Sequence, residues 1–193
     1  PAGDRSIRFL LPGTIALSVI SSGMVSLGIA TAYERYYGVL KLLGATPLPR
    51  SGLVSAKLIA VVALEILQIA LLVAVAALVY GWRPLESTAA GLVALLLGSA
   101  AFAGLGLAMA GRLRAEMTLG VANGLFMLFL LLGGLFVPLT RLPAAVGPIA
   151  RLLPAYALAE ALRGAPLQSG AWPVLVVWAV LAPALAALTF RWE

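Results

Sequence analysis

The sequence predicts an all-α, multi-pass membrane protein, and two observations predict it. Hydrophobic residues fill 63% of the 193 positions and charged residues only 10%, with a mean hydropathy of +1.09. Soluble domains carry about 25% charge, so lipid is the solvent for most of this chain. The second observation is where the apolar residues fall. They gather into runs of about 20, the length that crosses the hydrocarbon of a bilayer. Short segments holding most of the charge separate them. Hydrocarbon offers the backbone no hydrogen-bond partner, and a helix satisfies its own.

Five runs qualify as spans, at about 9–32, 58–80, 88–111, 117–137 and 172–190, within a single domain covering 1–193. The second helix is expected to start early, near Leu53. Between the first two spans lies a polar interruption, Tyr33 to Lys57. In its first half Tyr33, Tyr36/Tyr37, Leu40 and Leu43 recur at three-to-four spacing, opposite Glu34, Gly38 and Lys41. That pattern predicts a short amphipathic helix lying at the lipid interface. Thr46-Pro47-Leu48-Pro49 then breaks it, since neither proline continues a helix. The segment Gly81 to Glu86 reads as a short loop with an interfacial tryptophan, and Arg112 to Glu116 as a tight basic turn. The stretch from Pro138 to Gly170 has prolines at 138, 143, 148, 154 and 166. It leaves room for two short helices, about Pro143 to Leu153 and Pro154 to Arg163, each with a proline in its first turn. Both are too short to span, and they read as interfacial or re-entrant pieces closing one mouth of the molecule.

Loop charge orients the chain. With the Tyr33–Lys57 loop inside, seven basic residues lie inside and six outside, and the inside segments are shorter. This orientation places the loop in the cytoplasm and the protein in the cell inner or plasma membrane. Asp4, Arg5 and Arg8 lead straight into a full-length apolar run, which is not the layout of a signal peptide. Five spans put the two ends on opposite sides. The start at Pro1 points to an upstream span that would return both to the cytoplasm.

Composition also excludes chemistry. Histidine and cysteine are absent, which removes disulfides, thiolates and the commonest metal ligands. The chain has no GxxxxGK[ST] for nucleotide phosphates, no HExxH, and Asp4 as its only aspartate. Enzyme activity within this chain is not expected, nor a cofactor or metal of its own. The formal charge of +6 sits in loops beside anionic headgroups, so the lipid bilayer and not nucleic acid is the expected partner.

A few residues stand out. Glu65 is the only acid well inside a span, about 12 Å deeper than Lys57. It is either a titrating transport residue or a hydrogen-bonded contact between helices. Thr14, Ser18, Ser21, Ser22 and Ser26, beside Gly23 and Gly28, form a small polar stripe on the first span. Ser18, Ser22, Ser26 and Glu65 are therefore candidates for lining a translocation path, with close helix packing as the plain alternative. Gly98, Gly104, Gly106, Gly111 and Gly133-Gly134 read as packing positions. Glu34 and Arg35, at the end of the first span, read either as a surface for a partner or as a solvated ion pair. Arg141, Arg151, Glu160 and Arg163 read as solvated or snorkelling side chains, with gating or contact to anionic headgroups as the functional alternative.

Leu10 to Lys57 resembles the second span and following cytoplasmic loop of ABC-2-type export permeases, closest in character to the daunorubicin-resistance-like branch. The matching parts are Leu11-Pro12-Gly13, the Glu34-Arg35 pair, Gly38-Val39-Leu40-Lys41-Leu42-Leu43, the Thr46–Pro49 break and Lys57. Leu135-Phe136-Val137-Pro138 through Gly164 is also similar to that family. Two departures are visible: five spans where the family has six, with the family's first span expected to be the one missing, and Tyr36-Tyr37 where more charged residues are common. The resemblance implies a multidrug-export type of permease subunit, with antibiotic resistance among its roles. It implies a homodimer of two permease copies with two cytoplasmic ABC ATPase subunits, the ATP and Mg staying in the ATPases. It also implies that Glu34, Arg35, Tyr37, Lys41 and Leu43 couple to the ATPase. The expected cargo is a drug-like, lipid or lipid-linked molecule moved outward. Two other classes stay open on the residues alone: a proton- or ion-coupled transporter using Glu65, and a scaffold with no transport role.

Overall fold

The computed structural model describes residues 2–39, 42, 50–81, 88–141, 143 and 146–189. Its elements are α1 (Ala2–Val19), a π-helical stretch (Ile20–Ser26), α2 (Leu27–Tyr36), α3 (Arg50–Tyr80), α4 (Thr88–Arg112), α5 (Ala115–Leu132), a 3₁₀ turn (Leu139–Arg141), α6 (Gly147–Arg151), α7 (Pro154–Leu162) and α8 (Ala171–Thr189). No strand occurs among the described residues. Among the described residues five helical segments are long and apolar enough to cross a membrane: Ile7–Tyr36, Ser55–Tyr80, Ala89–Arg112, Ala115–Leu132 and Ala171–Thr189. The all-α, five-span expectation therefore holds, and α3 indeed begins ahead of its apolar run.

Four details differ from the expectations. The first span is not a uniform α-helix. Its middle, Ile20–Ser26, opens into π turns, which insert residues and rotate the face beyond them. The fourth span stops at Leu132 rather than near 137, because Gly133 ends the helix and Gly134 takes φ +65. The short helix expected from Pro143 runs only over Gly147–Arg151, with Pro148 in its first turn.

The fourth difference is the amphipathic helix expected to start at Tyr33. Tyr33 to Tyr36 instead complete the first span, and Gly38 at φ +75 ends it. The Gly38 N–H donates to the Arg35 carbonyl and the Tyr37 N–H to the Tyr33 carbonyl, the work of a left-handed glycine after a helix. Leu42 is helical beyond that stop, its N–H on the Gly38 carbonyl. Leu40, Lys41, Leu43 and the Thr46–Pro49 break lie outside the described residues.

The third span, α4, is the centre of the bundle. It packs along α8, along the π-helical stretch and α2, and against α7. Small residues make this possible, as expected where lipid supplies no hydrophobic drive between helices. A Cβ on Gly106 would lie 2.7 Å from the Gly23 carbonyl oxygen and 2.8 Å from that of Met24, so backbone meets backbone there. Gly104 sits directly against Ala182 and Pro183 of α8. Phe102 and Phe129 meet edge to face at 5.8 Å beside Met24, Ile20 and Leu158 in the main core. By contrast α3 lies at the margin, with Ile66, Leu67, Leu71 and Leu78 exposed, as befits a helix turned to lipid.

The segment after the fourth span enters the bundle. Ala155, Ala157, Leu158 and Ala159 on α7 are fully buried, so α7 is inserted between spans, while α6 keeps Ile149 exposed. Arg163, expected to be solvated, is a clamp. Its guanidinium donates to Glu160 at 2.8 Å and to the Gly134 and Leu135 carbonyls at 2.9 Å each, and stacks 3.9 Å over the Phe9 ring. The planar fork of arginine suits several acceptors at once. Gly13 presses against the Leu135 carbonyl beside it. The start of the first span, the end of the fourth and α7 are thus fastened together.

Candidate functional site

At the opposite end of the first span the polar residues gather. Lys57 of α3 forms an ion pair with Glu34 and approaches the Thr31 hydroxyl at 3.4 Å. Arg35 donates to the Leu113 carbonyl in the turn between α4 and α5. Glu34 and Arg35 therefore each have a partner inside the chain, one on the second span and one beside the fourth. Their spacing makes this possible, since adjacent helical residues point about 100° apart and reach different neighbours. Tyr33 and Tyr37 stack at 6.0 Å, and Tyr36 meets Tyr37 edge-on at 5.2 Å. Tyr36 and Tyr37 are 71% and 69% exposed. Leu42 is exposed as well. Beside them opens a cleft of about 550 Å³ lined by Tyr33, Arg35, Tyr36, Arg114 and Glu116. Of the five residues expected to couple to a partner, Glu34, Arg35 and Tyr37 come together here, and Lys41 and Leu43 lie outside the described residues.

The second cluster lies inside the bundle. Glu65 is 3% exposed and accepts from Ser22 at 2.9 Å and from Ser99 on its other oxygen. Ser22 belongs to the π-helical stretch and Ser99 to α4, so one carboxyl joins three spans. Hydrogen bonds to a carboxyl in an apolar interior are among the stronger ones available. Of the path candidates, Ser22 and Glu65 meet. Ser18 donates to its own helix at the Ile15 carbonyl, 2.8 Å away, and Ser26 is exposed.

Sequence reasoning missed Ser99 and the role of Arg163. Ser99 follows Gly98 in an otherwise apolar run. A hydroxyl in a span with no local polar neighbour was the available sign that it bonds across helices. Arg163 directly precedes Gly164, whose φ is +85, so a cation at a helix stop was legible but its acceptors were not.

The chain matches the family model described as ABC-2 type transporter over residues 2–167. It is 29% identical over 170 residues to a Bacillus subtilis (strain 168) protein carrying the name transport permease YvfS. The match covers 87% of this chain and 65% of that relative, so the chain spans about two-thirds of the relative's length. No solved structure matches significantly. With five spans, α7 inserted between them and a family match over most of its length, the chain is a multi-pass membrane protein and belongs to the ABC-2 type transporter family.

Proposed function

We propose that the protein is the membrane-spanning permease subunit of an ATP-driven exporter, working as two copies with two cytoplasmic ABC ATPase subunits. The cargo would be drug-like, lipid or lipid-linked. The observation that carries this reading is the end of the first span. There an exposed aromatic cluster, Tyr36 and Tyr37, adjoins two residues tied to other spans, through Glu34–Lys57 and Arg35–Leu113. A push on the tyrosines, or on the segment through Lys41 and Leu43 that follows, reaches α3 through one tie and the α4–α5 turn through the other. Glu34 and Arg35 then act as the linkage, and the neighbouring exposed residues as the contact. Energy comes from the ATPase, because this sequence holds no phosphate-binding loop.

Glu65 fits this reading as a fastener between spans. It is the only acid well inside a span, and both of its oxygens are engaged by hydroxyls.

The test is co-expression of the protein with its cognate ABC ATPase. Native protein should retain the ATPase through purification, and replacing Tyr36 and Tyr37 together with alanine should lower retention at least fivefold. Glu34→Lys should uncouple ATP hydrolysis from transport, and adding Lys57→Glu should restore coupling. No ATPase bound to native protein, together with unchanged behaviour on charge reversal at Glu34 or Arg35, sinks the exporter reading.

A further inference from the structure

The first span changes helical type at its middle, and the packing beyond depends on that change. Across Ile20–Ser26 the backbone bonds reach five residues back, as from the Leu27 N–H to the Ser22 carbonyl, where an α-helix reaches four. Each later residue is thereby displaced around the axis by one position, about 100°. Carried straight on, the face of α1 that buries Leu11, Ile15 and Val19 would bury Ser26 and Ala30. Instead Leu27, Gly28, Thr31 and Ala32 are buried, and Ser26 and Ala30 are exposed.

The ties that hold this register can be released. Glu65 of α3 accepts from Ser22 at 2.9 Å and from Ser99 of α4. The same Ser22 hydroxyl lies 2.9 Å from the Ser18 carbonyl of its own helix. A hydroxyl has one hydrogen, so Ser22 can let go of Glu65 and stay bonded. Where α2 meets α4 no side chains interlock: a Cβ on Gly28 would lie 3.1 Å from the Gly106 Cα. A change of one position puts Leu27 in the place of Gly28, Thr31 in that of Ala32 and Glu34 in that of Arg35. Leucine cannot approach Gly106 as glycine does, so α2 must move away from α4. The bonds of Glu34 to Lys57 and of Arg35 to the Leu113 carbonyl are lost in the same step.

We propose that the π-helical stretch is a register switch. With Ser22 held by Glu65 the stretch keeps α2 against α4, and a push at the exposed end of α2 straightens it into α-helix and parts the two. Glu65 is the positioning residue that holds the present register. A helix with two discrete arrangements passes motion from one end to the other, where a flexible one would absorb it. π turns recur at such functional points. The inference rests on the ATPase-driven reading above and specifies what the ATPase moves.

The chain contains no cysteine, so paired cysteines report cleanly on proximity. Ala32 and Ala110 share a buried cluster one turn beyond the Gly28–Gly106 contact. Ala32→Cys with Ala110→Cys should form a disulfide in membranes carrying the permease and its ATPase. The oxidised complex should keep its ATPase but hydrolyse ATP at least tenfold more slowly, and reductant should restore the rate, so the loss is not misfolding. With a short bis-thiosulfonate linker, ATP held by a hydrolysis-deficient ATPase should replace this linkage by that of Thr31→Cys with Ala110→Cys, the pair that a change of one position brings together. Glu65→Leu should make the same exchange without ATP, and Glu65→Gln should not. Deleting Ser21 should leave a plain α-helix with both faces as they are, retain the ATPase and slow hydrolysis as the disulfide does. A linkage at 32 and 110 that never forms at rest or never changes, an exchange made by Glu65→Leu but not by ATP, or full hydrolysis by the oxidised or deleted protein overturns the switch and leaves the exporter reading standing. A permease that retains no ATPase overturns both.

Discussion

The two ends of this bundle are each fastened by an arginine donating to backbone carbonyls at a helix break, and they differ in what surrounds it. Arg163 is 13% exposed and holds Glu160, two carbonyls of the segment following α5 and the Phe9 ring. Arg35 holds one carbonyl, and its neighbours Tyr36 and Tyr37 stand open beside a cleft. One end is closed by its own chain, and the other is braced underneath but left uncovered. The contrast teaches that an open surface in this molecule is one whose supports are already in place.

Breaking the closed end should have the largest effect. Arg163→Ala removes a part-buried cation and strands Glu160 and the Gly134 and Leu135 carbonyls. It should cost about 3 kcal/mol of stability in detergent, read by thermal or denaturant unfolding. Arg163→Lys should recover little, since one ammonium cannot reproduce the fork. If alanine is tolerated, the two ends are not different in kind. The core between them comes next. Glu65→Ala leaves Ser22 and Ser99 without their shared acceptor and should cost about 2 kcal/mol. Glu65→Gln, which keeps an acceptor oxygen, should retain transport and most of the stability. Loss of transport in a stable Glu65→Gln protein would favour a titrating role. At the open end, Glu34→Lys should cost about 1 kcal/mol or less, because the pair is partly solvated, and the Lys57→Glu exchange should recover it. The smallest change in stability belongs to Tyr36→Ala and Tyr37→Ala, within about 0.5 kcal/mol, although these should most affect retention of an ATPase.

Some of the candidate site was readable in advance and some was not, and particular residues show why. Gly38 stands in the sequence as a stop, but the apolar spacing from Tyr33 to Leu43 runs straight across it. A left-handed glycine ends a helix even when the hydrophobic period continues across it. Glu34 and Arg35 were recognisable as a functional pair in position, yet Lys57 and the Leu113 carbonyl are 23 and 78 residues away from them. Glu65 was conspicuous as a lone acid in a span, whereas its partner Ser99 had no distinguishing pattern around it.

The amino-acid order by itself determined the helical class, the number of spans and most of their limits. Lipid makes each of these a local matter: a run of apolar residues long enough to cross must be helical, and glycine or proline at its edge ends it. Only the tertiary structure decided the π turns of the first span, the partners of Glu65 and the clamp made by Arg163. Those depend on which faces meet, and several helices that are apolar almost all round carry too little periodic signal to say which way each is turned.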